Sequence, residues 1–259
     1  MSAGSADLTV SVVIPALNEQ DTVADVVSAC CASRADEVLV IDSDSSDATA
    51  RVAGSAGAKV INWRDVDARE PWPGKGEALW RGVKAASGDV VVFVDADVTN
   101  VTPQWVDLLA APFTHPAVHL VKAAYTRSLG VDGRGGGRVT ELTAKPLLRV
   151  FFPELADIEQ PLAGEYAIRR SSAVRLPFVS GYGVEVGLLI DVARHHTRAA
   201  VTEVALGSRA HRNRPLDELG PMADVVARTI LARANGSWIG DAVLGVDTGP
   251  AQRPPWVER

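Results

Sequence analysis

Two aspartates separated by one alanine, Asp95-Ala96-Asp97, follow the apolar run Val90–Val94. A short run rich in valine suits a strand buried on both faces, as in the middle of a parallel sheet. The aspartates then fall at its carboxyl end, the edge of an open α/β sheet where ligands bind. Carboxylates at i and i+2 in that position can share a hard divalent cation with a diphosphate. Mg²⁺ takes one or two carboxylates and leaves its other positions to water and phosphate oxygens. The same tripeptide also serves as plain turn chemistry, with an aspartate capping the next segment. The tripeptide alone leaves both readings open.

Other residue types add chemistry elsewhere. Lys75 lies between Gly74 and Gly76 just before a helical pattern. Glycines permit close backbone approach, a helix start offers free N–H groups, and the lysine adds a cation, which together outline a phosphate or nucleotide contact. The spacing is not that of a Walker loop, and no GxGxxG follows the first strand; a solvated lysine on a surface loop is the competing reading. Arg138 follows Gly135-Gly136-Gly137 at the start of another helix, where a guanidinium fork suits a carboxylate or phosphate; a solvated linker loop is the competing reading. His211 sits among Arg209, Arg212 and Arg214. Neighbouring arginines disfavour its charged form, as a metal-ligating imidazole requires, although a histidine near a strand end is commonly structural. Glu165 and Glu185 each follow a glycine or its neighbour and serve either as polar site residues or as caps.

These side chains need a frame that brings them to one edge. Thr9–Pro15, Glu37–Asp42 and Lys59–Asn62 read as strands. Asn18 is read as the N-cap of the helix after the first strand, and a short helix is expected from about Ala48 to Ala56, stopped by Gly57. Arg64–Pro73 reads as an irregular loop before a helix carrying Ala78, Leu79, Val83 and Ala86. Alternating strands and helices over residues 9–97 predict a doubly wound, mostly parallel sheet. Right-handed crossovers then place Asn18, Asp42, Ser43 and Asp95 along one rim. Beyond this, Val118–Tyr125 and Ala200–Leu206 read as strands and Phe151–Ile168 as irregular. A helix is expected after Gly181-Tyr182-Gly183, and a long amphipathic one at roughly Leu216–Ala234. The expected organisation is an N-terminal arm (1–8), a first α/β half (9–125), a second, more helical half of the same domain (126–246), and a Pro-rich flexible tail (247–259).

The chain of 259 residues has 47% apolar and 22% charged residues, a globular composition long enough for one large α/β domain. A net charge of −6 argues against nucleic acid as a partner. No apolar run is long enough to span a bilayer, and no basic-then-apolar leader opens the sequence, so neither membrane nor export is expected. The two cysteines, Cys30 and Cys31, are adjacent, a poor geometry for a structural bridge; a reduced, cytoplasmic protein is the expectation.

Taken together, VVIPALNEQDT, VLVIDSDSSDAT, PGKGEAL and VVFVDAD resemble the GT-A fold nucleotide-sugar glycosyltransferases. GGGRVTEL, KPLL, QPLAGEYA, PFVSGYGVEVGLLID and RAHRNRPLDELG resemble the actinobacterial glucosyl-3-phosphoglycerate synthases. The likeness runs from about Thr9 to Leu231. It implies a Rossmann-like, mostly parallel sheet with helices on both faces. It further implies a retaining transferase, and a homodimer, that moves glucose from UDP-glucose to the 2-hydroxyl of 3-phosphoglycerate with Mg²⁺ or Mn²⁺. By the same resemblance Pro15, Ala16, Leu17, Glu19 and Ser43 form the uridine pocket with Lys75 beside it. Asp95, Ala96 and Asp97 form the acid-any-acid motif, and His211 joins Asp97 on the metal. Leu162, Tyr182 and Glu185 line the glucose pocket, Arg209 and Arg214 meet the diphosphate, and Gly137, Arg138, Thr140 and Asn213 hold 3-phosphoglycerate. Asp97, His211, Arg138 and Glu185 are the residues placed nearest the reaction. Two departures stand out: Asn18 and Gln20 replace acids common in the family, and the loop before Gly135 is shorter than in mycobacterial members.

Rival readings are a related transferase using GDP-glucose, GDP-mannose or another small phosphorylated acceptor, a sugar-phosphate nucleotidyltransferase, and a non-catalytic nucleotide-sugar binder. A nucleotidyltransferase needs a glycine- and arginine-rich loop after the first strand, where this chain has Ala16-Leu17-Asn18-Glu19.

Overall fold

Valine-rich runs become strands because β-branched side chains pack well on a pleated surface, and here both faces of that surface are covered. In the computed structural model, which describes residues 8–127, 137–209, 216–234 and 249–257, the first half alternates as the spacing predicts. It runs β1 (Val10–Ala16), α1 (Val23–Cys31), β2 (Glu37–Asp42), α2 (Thr49–Ser55), β3 (Lys59–Asn62), α3 (Trp63–Val66), α4 (Lys75–Ala85), β4 (Val90–Phe93), α5 (Pro103–Ala110) and β5 (Leu120–Arg127). A π-helical turn, Thr140–Ala144, leads into α6 (Lys145–Phe151). Then follow β6 (Tyr166–Arg169), α7 (Arg170–Ala173), β7 (Phe178–Val179), α8 (Val184–His196), β8 (Val201–Arg209), α9 (Leu216–Arg233) and β9 (Gln252–Arg253). No described helix is long and apolar enough to cross a membrane.

The main sheet has the order β3-β2-β1-β4-β6-β5-β8. Every pairing is parallel except those of β6, which runs antiparallel to both β4 and β5. Alternate residues of each strand enter opposite layers. Val13, Leu39, Ile41, Val91 and Phe93 pack with Ala78, Leu79 and Val83 of α4 and Val186, Leu189 and Ile190 of α8. Val12, Ile14, Val38, Val40, Val90 and Val92 pack with Val23, Val26, Val27 and Cys30 of α1 and Trp105, Val106 and Leu109 of α5. Cys30 is buried and Cys31 exposed, and both thiols are free.

The structure differs from the sequence reading in four places. Phe151–Ile168 is not wholly irregular, because its end begins β6, which inserts between β4 and β5 and joins the two halves into one sheet. The expected irregular loop at Arg64–Pro73 opens inside α3, whose N-cap Asn62 accepts a hydrogen bond from the Arg64 backbone N–H at 2.9 Å. Asn18 is not an N-cap: its φ is +56°, and Thr22 stands at the start of α1.

The tail, expected to be flexible, is docked over its described part, 249–257. Gln252–Arg253 pairs antiparallel with β7. Trp256 stacks on Trp80 of α4 with ring centroids 3.6 Å apart. The Trp80 indole N–H donates to the Pro254 carbonyl at 2.9 Å, and the Trp256 indole N–H donates to the Trp80 carbonyl at 2.8 Å. Proline-rich composition signals flexibility only where nothing buries the chain; here two indoles and a buried arginine do.

Candidate active site

The carboxyl ends of β1, β2 and β4 form the rim that the crossover argument requires. The Ser43 backbone N–H donates to the Ala16 carbonyl at 2.9 Å, so the exits of β1 and β2 lie side by side. Their loops are laced together by polar side chains. The Asn18 N–H donates to Ser45 Oγ at 3.0 Å, Asn18 Oδ1 accepts from the Ser46 N–H at 2.8 Å, and the Glu19 N–H donates to Thr49 Oγ1 at 2.8 Å. Gln20 Oε1 accepts from the Ala48 N–H at 3.0 Å. The Asn18 and Gln20 side chains therefore act here through their oxygens, in bonds a carboxylate oxygen can also accept. Ala16 is buried, Pro15, Glu19 and Ser43 half-buried, and Leu17 exposed. Asp42, at the end of β2, has a buried Oδ1 with no hydrogen-bond partner among the described residues.

Asp95 and Asp97 follow β4 as expected, with the Ala96 side chain turned into the core. Lys75 is not a lone surface cation. Its ammonium sits between two carboxylates, pairing with Asp95 and, at 2.9 Å, with Glu185 of α8. Burial works against that charge, but Asp95 and Glu185 outweigh it and hold the lysine well above its ordinary range.

Backbone geometry allows the cluster. Gly74, with φ +112°, turns the chain into α4 so that Lys75 is its first residue. A methyl group at Gly164 would overlap the Asp95 carboxylate and reach 2.8 Å from Lys75 Nζ. A side chain there would push the Asp95 carboxylate and the Lys75 ammonium out of this arrangement. Tyr166, one strand over, is fully buried, and its hydroxyl has no hydrogen-bond partner among the described residues. Burial, and after it Glu185, keeps that phenol well above its ordinary pKa.

Of the other predicted residues, Leu162 is half-buried, Tyr182 exposed and Glu185 buried in the first turn of α8. Gly137 and Arg138 enter the π-helical turn, with Arg138 exposed and Thr140 buried. π-Helical turns inside helices occur frequently at functional sites. Glu165 is buried immediately before β6. Arg209 ends β8 in its backbone. His211, Asn213 and Arg214, and the loop before Gly135, lie outside the described residues.

Among the described residues no three His, Cys, Asp or Glu side chains converge as a metal site. The donors at the exit of β4 are carboxylate oxygens, which fit a hard divalent cation that draws its remaining ligands from phosphate and water. Sequence reasoning did not anticipate that Lys75 would join Asp95 to Glu185, nor the roles of Gly164 and Tyr166. The only signal for the last two was GEYA itself, a glycine followed by a short alternating run.

Comparison with known proteins identifies the family. The family model described as Glycosyl transferase family 2 matches residues 11–171. The glucosyl-3-phosphoglycerate synthase of Mycobacterium tuberculosis (strain CDC 1551 / Oshkosh) is 48% identical over 258 residues, covering 95% of this chain and 79% of that protein. A crystal structure of the Mycobacterium tuberculosis enzyme in complex with Mn²⁺, UDP-glucose and phosphoglyceric acid superimposes with a TM-score of 0.85 at 43% identity. It covers 98% of this chain and 92% of the other. A second structure of that enzyme, with Mg²⁺ and UDP, gives the same TM-score. With its GT-A architecture, its acid pair at the exit of β4 and these relatives, the chain belongs to glycosyl transferase family 2 and, within it, to the glucosyl-3-phosphoglycerate synthases.

Proposed function

We propose that this protein transfers glucose from UDP-glucose to the 2-hydroxyl of 3-phosphoglycerate, with retention at the anomeric carbon and a bound Mg²⁺ or Mn²⁺. The observation that carries the reading is the Lys75–Asp95–Glu185 cluster at the exit of β4. It supplies oriented carboxylates where a nucleotide sugar must lie, in a chain whose relatives bind UDP-glucose, phosphoglyceric acid and Mn²⁺.

Lys75 holds Asp95 toward the ribose and diphosphate, leaving Asp97 for the cation, with His211 as its partner ligand. When bound, the cation offsets the negative charge that builds on the leaving diphosphate. Arg209 and Arg214 add positive charge on the same oxygens. Glu185 accepts from glucose hydroxyls; its commitment to the Lys75 ammonium favours that role over general base. Leu162 and Tyr182 flank the sugar. Arg138, Thr140, Gly137 and Asn213 hold the anionic ends of the acceptor so that its hydroxyl meets the anomeric carbon on the face the diphosphate leaves. Such positioning supplies a large share of the rate. The C–O bond to the diphosphate breaks as the bond to the acceptor oxygen forms, and the hydroxyl proton passes to the departing diphosphate oxygen. No separate carboxylate base is required.

Mass spectrometry of a reaction containing 3-phosphoglycerate, Mg²⁺ and UDP-glucose should show the glucosylated product. The product should vanish with EDTA, fall about 10²-fold or more in Asp97→Ala, and retain the anomeric configuration by NMR. Transfer from GDP-mannose or GDP-glucose but not UDP-glucose would replace the donor assignment. We further infer a cytoplasmic homodimer: the two free thiols suit a reducing compartment, and the dimer is what the resemblance noted in the sequence implies. Light scattering in solution should give twice the chain mass of 27.3 kDa; a monomer mass would remove the dimer.

A further inference from the structure

Lys122 lies in the middle of β5, in register with Tyr166 of β6 on one side and Glu203 of β8 on the other. Its side chain is fully buried. The ammonium donates to the Ala163 carbonyl at 2.8 Å and sits 4.5 Å from the centroid of the Tyr166 ring. The peptide it holds continues into Gly164, the residue packed against Asp95 and Lys75. The rest of that segment is anchored from the same two strands. Glu203 Oε1 accepts from the backbone N–H groups of Glu159 at 2.9 Å and Gln160 at 3.4 Å, and the Ala123 N–H donates to the Glu165 carbonyl at 3.2 Å. A charged side chain is costly to bury. A methionine would fill most of this space, so apolar packing alone gives no reason for a lysine here.

We propose that Lys122 is a positioning residue for glucosyl transfer: its ammonium fixes the Ala163–Gly164 peptide, and so the wall against which Asp95 and Lys75 close on the donor. The proposal rests on the UDP-glucose reading above. The charged and titratable groups facing Lys122 are Lys75 from α4, Glu165 before β6, Tyr166 in β6, Glu185 from α8 and Glu203 from β8. Burial pushes the ammonium down to about 8, against the pull of Glu185 and the other carboxylates. It is therefore charged at neutral pH and loses its proton just above. A hydrogen bond from a charged donor is roughly twice as strong as one from a neutral donor, so the peptide loosens as pH rises through that value.

The test compares the wild-type enzyme with Lys122→Met and Lys122→Arg. In Lys122→Met the KM for UDP-glucose should rise about tenfold, because the Ala163 carbonyl loses its donor, while the KM for 3-phosphoglycerate stays within about twofold of wild type. Backbone amides of residues 159–165 should exchange faster with deuterated solvent. Wild-type turnover should decline above pH about 8, and Lys122→Arg, whose guanidinium keeps its charge, should move that decline to higher pH. Wild-type donor KM and amide exchange in Lys122→Met, or an unmoved alkaline limb in Lys122→Arg, would overturn the proposal. If the methionine variant does not fold, the arginine variant decides. Absence of glucosyl transfer in the wild-type protein would count against the donor reading instead, and amide exchange would still report whether Lys122 holds the peptide.

Discussion

Replacing Lys75 with methionine should lower glucosyl transfer at least about 10²-fold, the scale expected when a preorganised charge is lost from an active site. The side chain volume is nearly kept; the ammonium between Asp95 and Glu185 is not. Two carboxylates left facing one another without the cation repel, so the pair does not keep this arrangement. Its loss would spoil the orientation of Asp95 toward the donor and the contact of Glu185 with the sugar that we propose. Because Lys75 is braced by two carboxylates, its loss should lower kcat as well as weaken UDP-glucose binding. A purely phosphate-binding lysine would show mainly in the affinity for UDP. Steady-state kinetics with UDP-glucose and equilibrium binding of UDP, measured on the same variant, separate the two. A Lys75→Met enzyme with kcat within a few fold of wild type would show that the cluster does not serve catalysis.

Glu77→Gln should be the most destabilising single change of similar size. Glu77 is fully buried on α4 and accepts from Arg81 Nε at 2.8 Å, Arg253 Nε at 2.6 Å and Arg253 Nη2 at 2.9 Å. The remaining guanidinium hydrogens hold backbone carbonyls of the loop before α4: Arg81 donates to those of Trp63, Asp67 and Arg69, and Arg253 to that of Glu70. One carboxylate thus balances two buried arginines that order the 63–72 loop and tie the docked tail to α4. Removing one partner of a buried ionic group costs about 3–5 kcal/mol. In a domain of this size that corresponds to a Tm lower by roughly 6–20 °C. Calorimetry should show it, and limited proteolysis should find the tail around Arg253 more readily cut. Removing Asp224 from its exposed pair with Arg228 on α9 provides the contrast, since exposed ion pairs contribute little. Equal Tm changes in the two variants would mean that burial of the Glu77 group is not what stabilises the tail.

Much of the frame was legible in the sequence because it depends on neighbours close along the chain. Residues of β1, β2 and β4 alternate between two apolar layers, and the continuous valine runs reported that two-sided burial directly. Glu37–Asp42 and Lys59–Asn62 form strands with those same bounds. The acid pair at Asp95 and Asp97 lies on the strand-end rim because parallel strands joined by right-handed crossovers expose their carboxyl ends on one edge. Asn18 misled because asparagine suits both an N-cap and a left-handed backbone, and only the position of Ser46 shows which role it takes.

The amino-acid sequence by itself determined an α/β fold with a mostly parallel sheet, and an acid pair at the carboxyl edge of that sheet. Tertiary structure decided the antiparallel insertion of β6, the docking of the tail, the seat of Lys75 between Asp95 and Glu185, and the reach of Lys122 to Ala163. Strand and helix patterns are local, set by periods of two and 3.6 residues, and a window along the chain contains them. Ion pairs and buried polar groups are chosen by what the fold brings together. Arg253 meets Glu77 across 176 positions, and no local period can carry information over that separation.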